Sequence, residues 1–250
     1  MLKKAKLIMF FAIVFSLAFA NSSLAKSDVA NKNILKPSKN AEVVLEKVEL
    51  IKENGRTKVT IKGSGHVNDG PQGYKITVDP ENNTYETIKA SPEEIKEHTE
   101  VDTQLDEGTT SVSEEQSFGI ASTTNEINVK FHTEGPYYHA AQTIHMLRWD
   151  SDGRYAYTNF RSLSCNATHE NWIKDECAST GYSRIDGGRT ISSSMYGKYH
   201  SWKYYLDSQR TDLQHNITIE GYYTGNYNYY ASLDKSGEQH DELKSAVYVY

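Results

Sequence analysis

His132, His139 and His145 fall within fourteen residues, and the last two have equal parity. On a single strand they would share a face, and three imidazoles there could hold zinc. Gly135-Pro136 separates His132 from the others, and Ala140-Ala141 opens a new element. Scattered strand and loop histidines are therefore the preferred reading. His169-Glu170 lacks a second histidine at metalloprotease spacing. Asp150-Ser151-Asp152-Gly153 resembles the start of a calcium loop, but Arg154, Tyr155 and Ala156 do not continue it. The same four residues suit a hairpin turn. No metal and no cofactor are expected.

Motifs for nucleophilic chemistry are missing as well. The chain has no Gly-x-Ser-x-Gly elbow. Gly63-Ser64-Gly65 and Gly187-Gly188 are too short to cradle phosphate, and neither leads into a helix. A dispersed Ser/His/Asp set or a carboxylate pair would leave no linear signature. The enzyme question stays open and leans towards no.

Tyrosine is the residue type that stands out. Of 18 tyrosines, 16 follow residue 126. Tyr222-Tyr223, Tyr227 and Tyr229-Tyr230 flank one turn, and Tyr196, Tyr199, Trp202, Tyr204 and Tyr205 precede it closely. Alternation places Tyr223, Tyr227 and Tyr229 on the apolar face of a hairpin and Tyr222 and Tyr230 on the opposite face. An aromatic ring with a polar tip can stack on a sugar or anchor a protein. Tyrosine also has high strand propensity and suits a half-buried sheet. Tyr222, Tyr230 and Tyr205 are the candidate binding residues.

The first residues bear on compartment. A basic stretch with Lys3, Lys4 and Lys6 precedes an apolar run from Leu7 to Ala20, and Ser23 and Ala25 follow as small residues. That order is a secretory signal peptide, with cleavage expected after Ala25. The run is shorter than the roughly 20 residues a spanning helix needs. Loss of those three lysines takes the net charge from −6 to −9. An acidic mature chain argues against nucleic acid and against anionic membranes as partners. In an exported chain the isolated pair Cys165 and Cys177 is expected to form a disulfide.

The elements that must position these residues are mostly strands. Thr57, Val59 and Ile61 alternate with polar residues, as do Tyr74, Ile76 and Val78. Ala41 to Ile51 suits either a strand or a short amphipathic helix. Ser91-Pro92-Glu93-Glu94 carries an N-cap, a helix-start proline and a capping glutamate, so a short helix should run to about His98. After Ile127 come seven to nine short strands separated by Gly, Asn and Asp turns. The fold class expected is mostly β: a C-terminal antiparallel β-sandwich or jelly-roll-like domain preceded by a small strand-rich N-terminal module with one short helix. The organisation expected is a signal peptide at 1–25, a flexible arm plus small module at 26–99, an acidic Ser/Thr-rich linker at 100–126, and a Tyr-rich all-β domain at 127–250.

Three functions fit these features. The first is a secreted, non-catalytic β-domain that binds an extracellular glycan, a cell-wall polymer or a protein through an aromatic sheet face. The second is a secreted hydrolase with residues 26–126 as a removable pro-region. The third is a secreted toxin or antimicrobial, which the acidic charge disfavours.

Overall fold

Each period-two segment becomes a strand, and the parity of the large apolar residues decides which face is buried. The computed structural model describes residues 31–100, 110–113, 123–134, 139–202, 210–237 and 244–250. The expected signal peptide lies outside these residues, as do most of the expected linker and Tyr205.

Fifteen strands, one α-helix and a three-residue 3-10 helix at Asp186–Gly188 are present among the described residues. They are β1 (Asn31–Ile34), β2 (Lys36–Pro37), β3 (Lys47–Glu53), β4 (Arg56–His66), β5 (Gln72–Asp79), β6 (Thr84–Lys89), α1 (Pro92–Glu100) and β7 (Thr110–Ser113). There follow β8 (Thr123–Glu134), β9 (His139–Ser151), β10 (Ala156–Ala167), β11 (Ile173–Ile185), β12 (Thr190–Ser201), β13 (Thr211–Tyr222), β14 (Asn226–Gly237) and β15 (Lys244–Val249). The ambiguous segment 41–51 resolves as strand from Lys47 onward.

Two sheets stack face to face as a β-sandwich. One has seven strands in the order β1-β3-β4-β14-β13-β12-β11, the other eight in the order β2-β6-β5-β15-β8-β9-β10-β7. Pairing is antiparallel throughout except for the two-residue β2 beside β6. The strands before residue 100 extend the same two sheets as those after residue 126. Strand β4 pairs with β14 over its full length, from Arg56 to His66, and β5 pairs with β15. The compositional change near residue 126 is thus not a boundary between sheets.

The core fills the space between the inner faces. Val59, Ile61, Ile191, Met195, Ile217, Ile219 and Leu233 come from the seven-stranded sheet, and Val129, Phe131, Leu147, Trp149 and Val247 from the other. Burying such side chains contributes about 1.5–3 kcal/mol each, the main force holding the sheets together. Gly63 and Gly65, whose spacing is too short for phosphate, have a packing role instead. The rings of Tyr229 and Tyr227 lie over them, where any Cβ would collide.

Polar groups in this core are bonded to each other. His215, fully buried, lies between Thr133 and Thr143, at 2.6 Å from Thr133 Oγ1 and 2.9 Å from Thr143 Oγ1. Thr143 in turn meets the Tyr199 hydroxyl at 2.7 Å, which donates to the Gln142 carbonyl at 2.6 Å. A buried polar group without a partner would cost about 1–3 kcal/mol, so this chain of bonds spans the sandwich at little cost.

Helix α1 starts as its capping sequence requires: the Glu94 amide donates to Ser91 Oγ at 3.2 Å. It covers the outer face of the eight-stranded sheet. His98 stacks on Tyr248 at 4.1 Å between ring centroids, and Lys130 Nζ donates to the His98 carbonyl. Asp79-Pro80-Glu81-Asn82-Asn83 closes the β5–β6 hairpin, with Asp79 Oδ1 accepting from the Glu81 and Asn82 amides. No helix among the described residues is long and apolar enough to cross a membrane.

Candidate functional site

Strand β13 alternates without interruption. Leu213, His215, Ile217 and Ile219 face the core, so Gln214, Asn216, Thr218, Glu220 and Tyr222 form one row on the outer face. The neighbours in register on that face are small or aromatic through the middle of the row, with Lys198 and Asp234 beside Gln214. Ser194 stands opposite Thr218 and Tyr196 opposite Asn216 on β12. On β14, Asn228 is opposite Glu220, Tyr230 opposite Thr218 and Ser232 opposite Asn216.

The row is bonded laterally. Gln214 Nε2 donates to Asn216 Oδ1 at 2.7 Å, and Asn216 Nδ2 donates to Ser232 Oγ at 3.2 Å. The Ser194 and Thr218 hydroxyls meet at 2.8 Å. At the end of the row Asn228 Nδ2 donates to the Tyr222 hydroxyl at 2.6 Å and to Glu220 Oε2 at 3.2 Å. The Tyr222 hydroxyl itself donates to Glu220 Oε2 at 3.2 Å. Burial, and then the charge of Glu220, push the Tyr222 phenol up to about 12, so it stays a donor at any physiological pH.

Two hollows open along this row. Ser194, Asn216, Thr218, Ser232 and Thr60 floor a groove of about 340 Å³ beside the Tyr230 ring. Beyond Glu220 a pocket of about 560 Å³ is framed by Ser64, His66, Asp69, Tyr222, Asn226 and Asn228. Asp69 Oδ2 accepts from the His66 amide at 2.7 Å, which pins the loop that closes this pocket. Lys58 also lines the groove, and Asp69 and His66 the pocket; the remaining hydroxyls and amides with an aromatic side suit a hydroxyl-rich ligand.

Of the three candidate binding residues, Tyr222 and Tyr230 lie on this outer face, both half-buried. Tyr222 ends the row, and Tyr230 flanks its middle with Lys62 Nζ 5.7 Å from its ring centroid. Tyr205 lies outside the described residues. Tyr227 and Tyr229 point inward, as their parity requires. Reasoning from tyrosine alone missed Asn216, Thr218, Glu220 and Asn228. Their signal was the polar half of the same alternation.

The other candidate chemistry resolves into structure. Cys165 and Cys177 form a disulfide. Asp150 to Gly153 lies at the β9–β10 turn, where Asp152 Oδ1 accepts from the Arg154 and Tyr155 amides. The three histidines do not converge. His145 is buried between the sheets with Nδ1 at 3.2 Å from the Ser162 carbonyl and Nε2 at 3.0 Å from Ser193 Oγ. His132 lies on the opposite face of its sheet, near His98. The side chain of His139 is outside the described set. Among the described residues no group of three or more His, Cys, Asp or Glu side chains is placed to hold a metal ion.

No protein-family model and no curated protein matches the chain. A solved structure similar to it is the crystal structure of a hypothetical protein from Listeria monocytogenes EGD-e. That protein is 10% identical, and the match covers 68% of this chain and 98% of that chain with a TM-score of 0.21.

Proposed function

We propose that this protein is an exported, non-catalytic β-sandwich that binds an extracellular glycan through the outer face of its seven-stranded sheet. One observation carries the reading: the unbroken row Gln214, Asn216, Thr218, Glu220 and Tyr222, with Tyr230 beside it and hollows at its middle and end. Sugars present alternating hydroxyls and apolar ring faces. Amides and hydroxyls bond the first, and tyrosine rings cover the second.

Export rests on the N-terminal sequence and is consistent with a disulfide, which persists in oxidising compartments. The hydrolase reading, with 26–126 as a pro-region, gains less support. Strands β3 to β6 come from that segment, and β4 and β5 among them pair with β14 and β15.

Retention on a glycan array tests the binding face. The Tyr222→Ala/Tyr230→Ala double variant should lose most retention while still unfolding cooperatively in urea, its unfolding free energy lowered by about 1–2 kcal/mol for the half-buried rings and hydrogen bonds removed. Undiminished retention would remove this face as the site. The mass of the protein recovered from culture medium tests export, with Lys26 as the expected first residue.

A further inference from the structure

The charged groups on this face decide what kind of glycan it fits. Lys198 pairs with Glu176 at 2.7 Å, Lys62 with Glu46 at 2.8 Å, and Arg56 with Asp234 at 3.1 Å. Lys47 pairs with Glu49, and Arg210 with Asp212 at 2.6 Å. Each of these cations is matched by a carboxylate on the same face or its rim, and Lys58, which lines the groove, stands in register opposite Asp234. Glu220, the carboxylate within the row, is held by the Tyr222 hydroxyl and the Asn228 amide. A charged polymer would have to break these pairs before gaining its own, whereas an uncharged one meets hydroxyl and amide groups.

The shape of the face fixes the second property. The groove at Asn216 and Thr218 and the pocket at Tyr222 and Asn228 are served by one strand, with Glu220 between them. From Gln214 to Tyr222 the row runs roughly 26 Å, at about 3.3 Å per residue. Tyr230 on β14 borders the low Ser194, Thr218 and Ser232, and Tyr196 on β12 turns its hydroxyl to Glu176. The groove itself reaches across the sheet from Thr60 on β4 to Thr180 on β11, and the polar row continues from it along β13 to the pocket, a path longer than any single sugar ring.

Taking the glycan-binding reading as its base, we infer that the ligand is an uncharged, extended polysaccharide chain lying along β13, with several consecutive units seated between the Asn216 groove and the Tyr222 pocket. Middle units rest beside Tyr230, and one unit enters the pocket beside Asn228.

The test is titration of the secreted protein with neutral gluco-oligosaccharides from dimer to octamer, and with oligogalacturonates and glucosamine oligomers of equal length, in low and high salt. Affinity for the neutral series should rise at least about tenfold from dimer to hexamer and stay insensitive to salt, because no ion pair forms on binding. Asn216→Ala and Tyr222→Ala, at opposite ends of the track, should each weaken hexamer binding about three- to tenfold, the worth of one or two hydrogen bonds. Ser194→Arg provides a second variant that fills the groove without touching the core, and it should block the hexamer while sparing the dimer. Affinity that saturates at the dimer, or that responds to Tyr222→Ala alone, would overturn the extended track and leave glycan binding standing. Tighter, salt-sensitive binding of either charged series would overturn the uncharged ligand. Failure of every oligosaccharide and every arrayed glycan to bind would take down the glycan reading itself.

Discussion

Cys165 and Cys177 are bonded across the two layers: the first lies on β10 of the eight-stranded sheet, the second on β11 at the edge of the seven-stranded sheet, with 5.9 Å between their Cα atoms. The bridge therefore staples an edge that side-chain packing alone would hold. A ring this short should contribute about 3 kcal/mol, mainly by restricting the unfolded chain. The Cys165→Ala/Cys177→Ala variant should lose that amount in urea unfolding, and reductant should have no effect on it. A variant as stable as the parent would show that the bridge adds nothing to the fold.

Acid should weaken the fold in a defined window. Burial pushes His145 down to about 4 and His215 down to about 3, so both are neutral when folded. Unfolded, each would titrate near 6.5. The unfolded chain then binds more protons as pH falls, and stability is full above about 6.5 and lost progressively towards 4 and 3. The slope approaches about 1.4 kcal/mol per pH unit for each histidine. Urea unfolding at a series of pH values from neutral to 4 should trace that slope. His145→Gln should flatten it by about half, and an unchanged slope in that variant would exclude His145 as its source.

Gly221 offers a test of the core. A methyl group there would sit 2.8 Å from the Trp149 indole, which is fully buried and donates from Nε1 to the Tyr222 carbonyl at 3.0 Å. The ring cannot shift without losing that bond. Gly221→Ala should cost about 1–3 kcal/mol, the usual range for overpacking. Because Gly221 precedes Tyr222, the variant should also weaken ligand binding. Thermal unfolding and array retention would report the two effects, and wild-type stability would mean the indole has room to move.

How much of this was legible beforehand depends on range. Period-two alternation marked Val59, Ile76, Val129 and Ile217 as inward-facing because a strand's face is a local property, and all four pack in the core at under 5% exposure. The Ser91 cap and the Asp79 turn were readable for the same reason: their bonds span two or three residues. The pairing of β4 with β14 was not readable, since Ile61 and Ala231 meet across most of the chain and nothing in either segment names its partner. At the site, Tyr222 and Tyr230 were found through aromatic content, while Asn228 and Glu220 became a unit only when the hairpin placed them side by side.

That long-range pairing supports the last prediction. If residues 26–126 were a removable pro-region, residues 127–250 would fold without them. Strand β14 would then lose β4, its partner over eleven positions from Asn226 to Ser236, and β15 would lose β5. Both would become long, unprotected edges with apolar inner faces, an arrangement that favours aggregation. Core side chains supplied by Val48, Leu50, Val59 and Ile61 would go too, leaving Tyr229 and Leu233 without cover. A fragment of residues 127–250 should therefore be insoluble or lack a cooperative unfolding transition, and trypsin should degrade it far faster than the parent. Mixing it with a separately produced 26–126 fragment should restore protection if the two segments form one sandwich. A soluble 127–250 fragment with a sharp transition of its own would reverse this argument and favour the pro-region reading.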